Sequence, residues 1–445
     1  FTDAARTGAN LLITPIRRLA QLKPMTNKEH IAASKIIIEV GPALYISAYP
    51  TYLVAAMKVI RKSIWHGLSS VTPAYYIGFG VALCGYPRLI KTGGKYADLA
   101  MQLVESNTDT RTEVVVKYVF YGHILHWRQH LSETIPAMKN VYELARRTGN
   151  PVYISQSATV ICLYRYFLGH KLSGIIDDLL PIVDDIRNLK RGTSYGYLKL
   201  CLQVCDNLVD ENNPTPHLLT GSYFEEDGKI PELRKVQDKG ALFSVYFHKM
   251  CLCFYYDRPE DAIYYADQAR QYRQSVTGMM FIPRLYFFEG LAWVAAAILN
   301  PEKKKAARRV LRSTQKKMRV WMKLAPMNFS HQYHLLRGEL EYLDGKSGFQ
   351  DFYNIAIRQA KENGFISDLA VCHEVLATRL LEKGNAKKSM ENFEQAKNSY
   401  SKWGAENKVR QLEENVSHHF PVLENGQQNA TNKQFLPPLG HPQNN

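Results

Sequence analysis

The sequence predicts an all-α protein, an α-solenoid of stacked helical hairpins, on three observations. Apolar residues recur at i, i+3, i+4 and i+7 along most of the chain, the spacing of one face of a helix. Gly, Pro or Asn-Pro breaks punctuate these stretches, among them Gly67, Gly85-Tyr86-Pro87, Gly149-Asn150-Pro151, Gly169, Gly278, Asn300-Pro301, Gly345, Gly364, Gly384 and Gly404. Many lie about 17 to 20 residues apart, room for one helix and one turn, so a hairpin takes about 35 to 40 residues. No segment sustains the two-residue alternation that a half-buried strand needs.

Composition agrees with a large folded chain. Of 445 residues, 46% are hydrophobic and 11% aromatic, with 27 Tyr, which excludes a mostly disordered or low-complexity protein. The net charge of +15 favours acidic partners without naming one. The seven Cys are an odd number set in apolar stretches, as expected of reduced core thiols in a cytoplasmic protein. The longest apolar run, Leu285 to Leu299, is interrupted by Glu289 and preceded by Arg284, so no membrane role is expected.

Taken in order, residues 1–26 read as an N-terminal remnant or linker, the chain starting at Phe1 as an internal piece or incomplete terminus would. Residues 27–420 form the repeat region, with breaks also expected at Gly41-Pro42, Gly93-Gly94, Gly192 and Gly240. Residues 211–237, with Asn212-Asn213-Pro214-Thr215-Pro216 and Gly221, read as a long loop between hairpins, a place for partner binding. The final hairpin pairs Ile366 to Glu382 with Ala386 to Trp403. Leu369, Cys372, Leu376 and Leu380 line its first helix, and Met390, Phe393, Ala396, Tyr400 and Trp403 its second. Leu376-Ala377, Gly384, Phe393 and Ala396 match the tetratricopeptide pattern, whereas His373, Leu380 and Ser389 depart from it; the repeats are TPR-like. In residues 421–445, 13 of 25 positions are Asn, Gln or Pro and the net charge is zero, the composition of a disordered polar tail.

Gly41-Pro42-Ala43-Leu44-Tyr45-Ile46, Pro73-Ala74-Tyr75-Tyr76-Ile77-Gly78, Leu324-Ala325-Pro326-Met327-Asn328-Phe329, Lys361-Glu362-Asn363-Gly364-Phe365 and Tyr400-Ser401-Lys402-Trp403-Gly404-Ala405 occur in that order. Together they resemble the helical-repeat region of very large signalling proteins. In those proteins a serine/threonine-kinase-like domain and an AAA/STAND-type ATPase precede the repeats, and a sensor domain and histidine kinase follow. The resemblance spans most of residues 30–415. It implies a regulatory arm between ATPase and output kinase, and a protein partner of kinase or NTPase type; its motifs mark no catalytic site.

Motifs for chemistry are incomplete. Gly345-Lys346-Ser347 ends like a phosphate-binding loop, but Leu340 stands where the opening Gly belongs, and Thr92-Gly93-Gly94-Lys95 is followed by Tyr96. Protein-kinase Asp-Phe-Gly and His-Arg-Asp sequences are absent. His373-Glu374 superficially matches a phosphoacceptor box without its following Arg and Pro. His123, His126 and His130, at i, i+3 and i+7, would share one face of a continuous helix and are candidate ligands for a transition metal. Asp177-Asp178 and Asp184-Asp185 read as a solvated acidic face.

The strongest charge cluster is Lys303 to Lys323, with ten Lys or Arg and no acid. Ala307, Leu311, Thr314, Met318 and Trp321 step by 4, 3, 4 and 3, which assigns them to the buried stripe of an amphipathic helix and leaves the cations outside. Lys303, Lys304, Lys305, Arg308, Arg309, Arg312, Lys316 and Arg319 are therefore the candidate partner-binding residues. No catalytic residues and no cofactor are expected, so the sequence reads as a non-enzymatic interaction and regulatory module. The alternative is a nucleic-acid-binding repeat using the basic helix, although no aromatic interleaves its cations to stack bases.

Overall fold

A computed structural model describes residues 14–106, 110–188 and 192–419. The tail at 421–445 and the first half of the 1–26 segment lie outside the described residues. After a one-turn α1 (Ile16–Leu19) come α2 (Lys28–Ser47), α3 (Tyr49–His66), α4 (Thr72–Cys84), α5 (Ile90–Glu105) and α6 (Thr110–Val119). Then follow α7 (Thr134–Arg147), α8 (Pro151–Leu168), α9 (Leu172–Asn188) and α10 (Gly192–Val209). The second half holds α11 (Glu226–Lys235), α12 (Lys239–Tyr255), α13 (Pro259–Gln271), α14 (Phe281–Leu299) and α15 (Lys304–Leu324). It ends with α16 (Pro326–Leu343), α17 (Phe349–Glu362), α18 (Ile366–Glu382), α19 (Ala386–Trp403) and α20 (Glu406–His419). Extended pairing among the described residues is confined to two isolated bridges, Pro24 with Leu68 and Thr220 with Glu225. The fold is an all-α solenoid of TPR-like hairpins.

Composition sorts the helices into two layers. In the hairpins α12/α13, α14/α15, α16/α17 and α18/α19, the first helix is buried on most sides and the second on one stripe only. α12 is buried at every position from Gly240 to Cys253, because Ala241-Leu242-Phe243 and Met250-Cys251-Leu252-Cys253 are apolar all round. The partner helices keep a narrow seam of small residues, Ala262, Ala266 and Ala269 in α13, over which a second helix can lie close.

A solenoid whose repeats touch only their neighbours would leave the inner layer facing an open groove. Here the two halves press their inner helices together instead. Phe167 of α8 lies against Phe247 of α12 and Phe281 of α14, with ring centroids 6.0 and 5.8 Å apart. Ser367 donates to the Phe167 carbonyl, and Asn407 at the start of α20 donates to the carbonyls of Asp210 and Asn213. Aromatic packing and hydrogen bonds to backbone carbonyls thereby join the two halves.

The punctuation behaves largely as the residues require. Gly67, Gly149, Gly169, Gly278, Gly345, Gly364, Gly384 and Gly404 all have positive φ, and Gly169 and Gly404 are left-handed C-caps. Asn27, Asn150, Asp238 and Asn385 cap helix N-termini with their side chains. Gly41-Pro42, Gly93-Gly94 and Gly240 instead lie inside helices, and Gly192 begins one. Gly93 is there for contact: a Cβ would come 2.4 Å from the Gly80 carbonyl oxygen, so α4 and α5 cross backbone to backbone.

Three expectations are corrected. The segment with the three histidines is not a continuous helix: after α6 the chain widens into a π-turn at Phe120–Ile124, tightens at Leu125–Trp127, and becomes extended at His130. Backbone groups freed by that break are caught by the other half, since Asn328 donates to the His126 and Gln129 carbonyls and accepts from Leu131 N–H. The 211–237 segment is not simply a long loop; its second part is α11, missed because Pro231 and a run of charges hide the period. The rest is pinned by Asn207, which donates to the carbonyls of Pro216 and Leu218, and by Gln203, which accepts from Tyr223 and Phe224. Finally, α14 is long and apolar enough to cross a membrane by length and composition. About two thirds of it is buried by packing, and it carries the buried charges of Arg284 and Glu289.

Candidate partner-docking surfaces

α15 forms where expected, and its buried stripe is Ala307, Leu311, Thr314, Met318 and Trp321, joined by Gln315. Trp321 is the anchor, with ring centroids 6.1 Å from Trp127 and 5.9 Å from Tyr286. The eight candidate cations divide into two groups. Lys303 pairs with Glu260, Arg308 donates to Asp344 at 2.7 Å and to the Leu343 carbonyl at 2.5 Å, and Arg312 lies 3.6 Å from Asp344. These three hold α15 to its neighbours. Lys304, Lys305, Arg309, Lys316 and Arg319 are exposed and have no ion-pair partner among the described residues.

Lys305, Arg309, Arg312, Lys316, Arg319 and Lys323 step by 4, 3, 4, 3 and 4 on the side opposite the buried stripe. At 1.5 Å per residue they form a line of positive charge about 27 Å long. Such a line can attract and orient an anionic surface, its force weakening with salt over the Debye length.

The other candidates are taken apart by the structure. His123 binds the Thr277 carbonyl through Nδ1 at 3.0 Å, His126 is buried with neither ring nitrogen bonded, and His130 reaches Ser132 and the Asn363 carbonyl. Burial lowers the His123 pKa to about 4 and the His126 pKa to about 3. No group of three His, Cys, Asp or Glu suited to a metal exists among the described residues, and the three histidines bond to separate partners or to none. His373 sits inside the last hairpin and donates to Asn392 at 2.9 Å. Lys346 pairs with Glu341 in the turn before α17, and Asp177, Asp178, Asp184 and Asp185 are all exposed.

Sequence reasoning missed two features. The first is a buried ionic centre: Arg284 grips Asp368 with two bonds of 2.8 Å, while His331 and Gln332 reach the same carboxylate at 2.7 and 3.3 Å. Burial alone would raise the Asp368 pKa, but the Arg284 guanidinium and His331 hold it below the ordinary carboxylate range. Having no exposure to solvent, the carboxylate ties α14, α16 and α18 together rather than doing chemistry.

The second is a cluster of tyrosines beside the junction of α2 with the start of α12, where Lys239 donates to the Ser47 carbonyl. Tyr45 donates to the Thr277 carbonyl at 2.9 Å and sets its ring edge-on to Tyr49, Tyr52 and His123. Tyr118 lies edge-on to Tyr153 at 5.2 Å, and the Tyr197 hydroxyl donates to Asp238. Tyr45, Tyr52, Tyr118 and Tyr197 keep part of their surface accessible, yet burial raises all four phenol pKa values, that of Tyr52 to about 12. The signal in the sequence was the Tyr count, but no periodicity reveals which phenols converge.

Fold and surface thus define a helical-repeat protein of TPR-like kind. No protein-family model matches the chain. Over 141 residues, 30% of the chain, it is 23% identical to a hybrid signal transduction histidine kinase G of Dictyostelium discoideum. That stretch is 4% of the kinase's length. A solved structure, the apo form of the quorum sensor NprR from B. thuringiensis, overlaps 83% of this chain and 97% of its own at 12% identity. The TM-score is 0.41.

Proposed function

We propose that this chain is a non-enzymatic interaction and regulatory arm of a signal-transduction ATPase and sensor-kinase system, built from a repeat region at 27–420. It docks a protein partner, the kinase or NTPase part of the assembly, through the outer face of α15. The observation that carries this reading is the single-sign stripe from Lys305 to Lys323. Its cations face solvent, and most of them lack the carboxylates that engage Lys303 and Arg308. The local similarity to a signalling histidine kinase supports the choice of system. Seven buried, unpaired thiols support a reducing, cytoplasmic setting.

The test compares the protein with a Lys305→Glu/Arg309→Glu/Lys316→Glu variant in affinity capture from the source cells, read by mass spectrometry. A kinase or NTPase retained by the parent and lost by the variant is the expected result. Equal capture by both sinks the role of α15. Binding of RNA or DNA that survives physiological salt and disappears in the variant replaces the protein partner with a nucleic acid.

A further inference from the structure

We propose that the chain's own segment Phe420-Pro421-Val422-Leu423, just beyond α20, folds back over the outer face of α19 at Met390 and caps the last hairpin. This contact is separate from α15 and its partner.

The groove that the segment would fill holds about 630 Å³. Its lining is two rows on α19, Ala386, Met390 and Glu394 beside Lys387, Glu391 and Gln395, so among the described residues the groove has one wall. Met390 is the apolar centre of that wall. It begins the line Met390, Phe393, Ala396, Tyr400 and Trp403, whose last four members are buried whereas Met390 is only half-buried. A repeat exposes such a seam wherever no neighbour or cap lies over it.

α20 fixes where the chain arrives. It runs antiparallel to α19, with Lys397 3.6 Å from Glu413. Met390 stands seven residues before Lys397 and Phe420 seven after Glu413. Both intervals rise by about 10 Å, which brings the end of α20 level with Met390. The sequence at that point fits the seam. Val409, Leu412 and Val416 of α20 pack against the core at steps of 3 and 4, and Phe420, four residues further, extends the same line. Pro421 cannot continue a helix and favours extended backbone at the residue before it, so Val422 and Leu423 can cross α19 instead of following α20. Past Leu423 the residues turn polar, Glu424-Asn425-Gly426-Gln427-Gln428-Asn429. So short a tether gives Phe420, Val422 and Leu423 a high effective concentration at the groove.

The test labels the full chain with two spin labels, at Lys387→Cys and Glu424→Cys, and dilutes it into unlabelled chain; the seven native thiols are buried and unpaired. One narrow label-to-label distance is expected, broadening in Phe420→Ser/Leu423→Ser and in Met390→Glu. Thermolysin should cut at Val422-Leu423 roughly tenfold faster, or more, in Met390→Glu than in the parent, because cleavage follows the population of the released segment. Circular dichroism checks the fold of Met390→Glu, and Phe420→Ser/Leu423→Ser keeps the test decisive if that variant unfolds, since it leaves every described residue unchanged. A parent distribution as broad as that of Phe420→Ser/Leu423→Ser, or equal cleavage of a folded Met390→Glu and the parent, overturns the proposal. A narrow distance that appears only when singly labelled chains are mixed puts a second copy's segment in the groove and overturns it equally.

Discussion

The two halves of the solenoid are held together by different chemistry. In the second half, charges are buried between repeats: Arg284 with Asp368, Arg379 with Glu339, Lys408 with Glu374, and Lys249 with Glu226. In the first half the ion pairs described, Lys117 with Glu113, Arg128 with Asp98, Arg146 with Glu143 and Arg165 with Asp178, all keep at least one partner partly or fully exposed, and buried polarity comes from neutral groups such as Tyr76, Ser63 and His123. A buried ion pair adds little net stability but fixes register, because any shift strands a charge. The second half is therefore a register-locked frame. The first is held by packing and single hydrogen bonds.

Breaking the ionic centre should give the largest effect. Asp368→Ala leaves the Arg284 guanidinium buried and uncompensated, at a cost of roughly 3–5 kcal/mol read by denaturant unfolding. Arg284→Met together with Asp368→Leu removes both charges and should recover most of that loss. If the single and double variants are equally unstable, packing rather than charge holds the frame.

Acid should loosen the contacts between the halves next. Burial keeps His123 and His248 neutral, with pKa values lowered to about 4 and about 3. The unfolded chain takes up these protons near pH 6.5, before the folded one does, so their contribution is full above that pH. It is lost as pH falls through the interval from 6.5 to about 4 and 3, for His123 to the extent of about 3 kcal/mol. Stability curves for His123→Gln and the parent should converge as pH drops from 7 to 4. Parallel curves would mean that His123 is not buried neutral.

Much of the architecture was legible beforehand. The last hairpin has the boundaries that its apolar spacing and Gly384 imply, and α15 buries the five residues its 4-3-4-3 step selects. Failures cluster where long-range contact overrides local pattern. A helix-like run from Tyr121 to His130 breaks because Asn328, some 200 residues away, satisfies the opened backbone. α12 and α14 have no polar face to read because both sides are core. Asp368 and Asp238 look like ordinary helix-start acids in sequence, and only the fold brings Arg284 to the first and Tyr197 to the second.

A smaller effect probes the neutral packing of the first half. Gly93→Ala forces a Cβ against the Gly80 carbonyl oxygen and the Cys84 sulfur, so α4 and α5 must separate. A loss of about 1–3 kcal/mol is expected from such overpacking. Gly94→Ala, one residue on and with nothing within 4 Å of its added methyl, should be neutral or slightly stabilising. Equal losses at both positions would place the cost in helix backbone rather than in the crossing.

The smallest effect carries the most information about function. Along α15, Lys305 with Arg309, Arg312 with Lys316, and Arg319 with Lys323 are like-charged pairs four residues apart, each costing a helix a few tenths of a kcal/mol. Lys304 and Lys305 also stand in the first turn, where the helix dipole disfavours cations. Replacing Lys305, Arg309 and Lys316 by Gln should therefore leave stability unchanged or raise it by less than about 1 kcal/mol in low salt, the gain shrinking as salt is added. Loss of stability on that substitution would mean that the cations serve the fold, as Arg284 and Arg379 do. A gain in stability coupled to loss of the captured partner would show a stripe maintained at the expense of the helix that bears it.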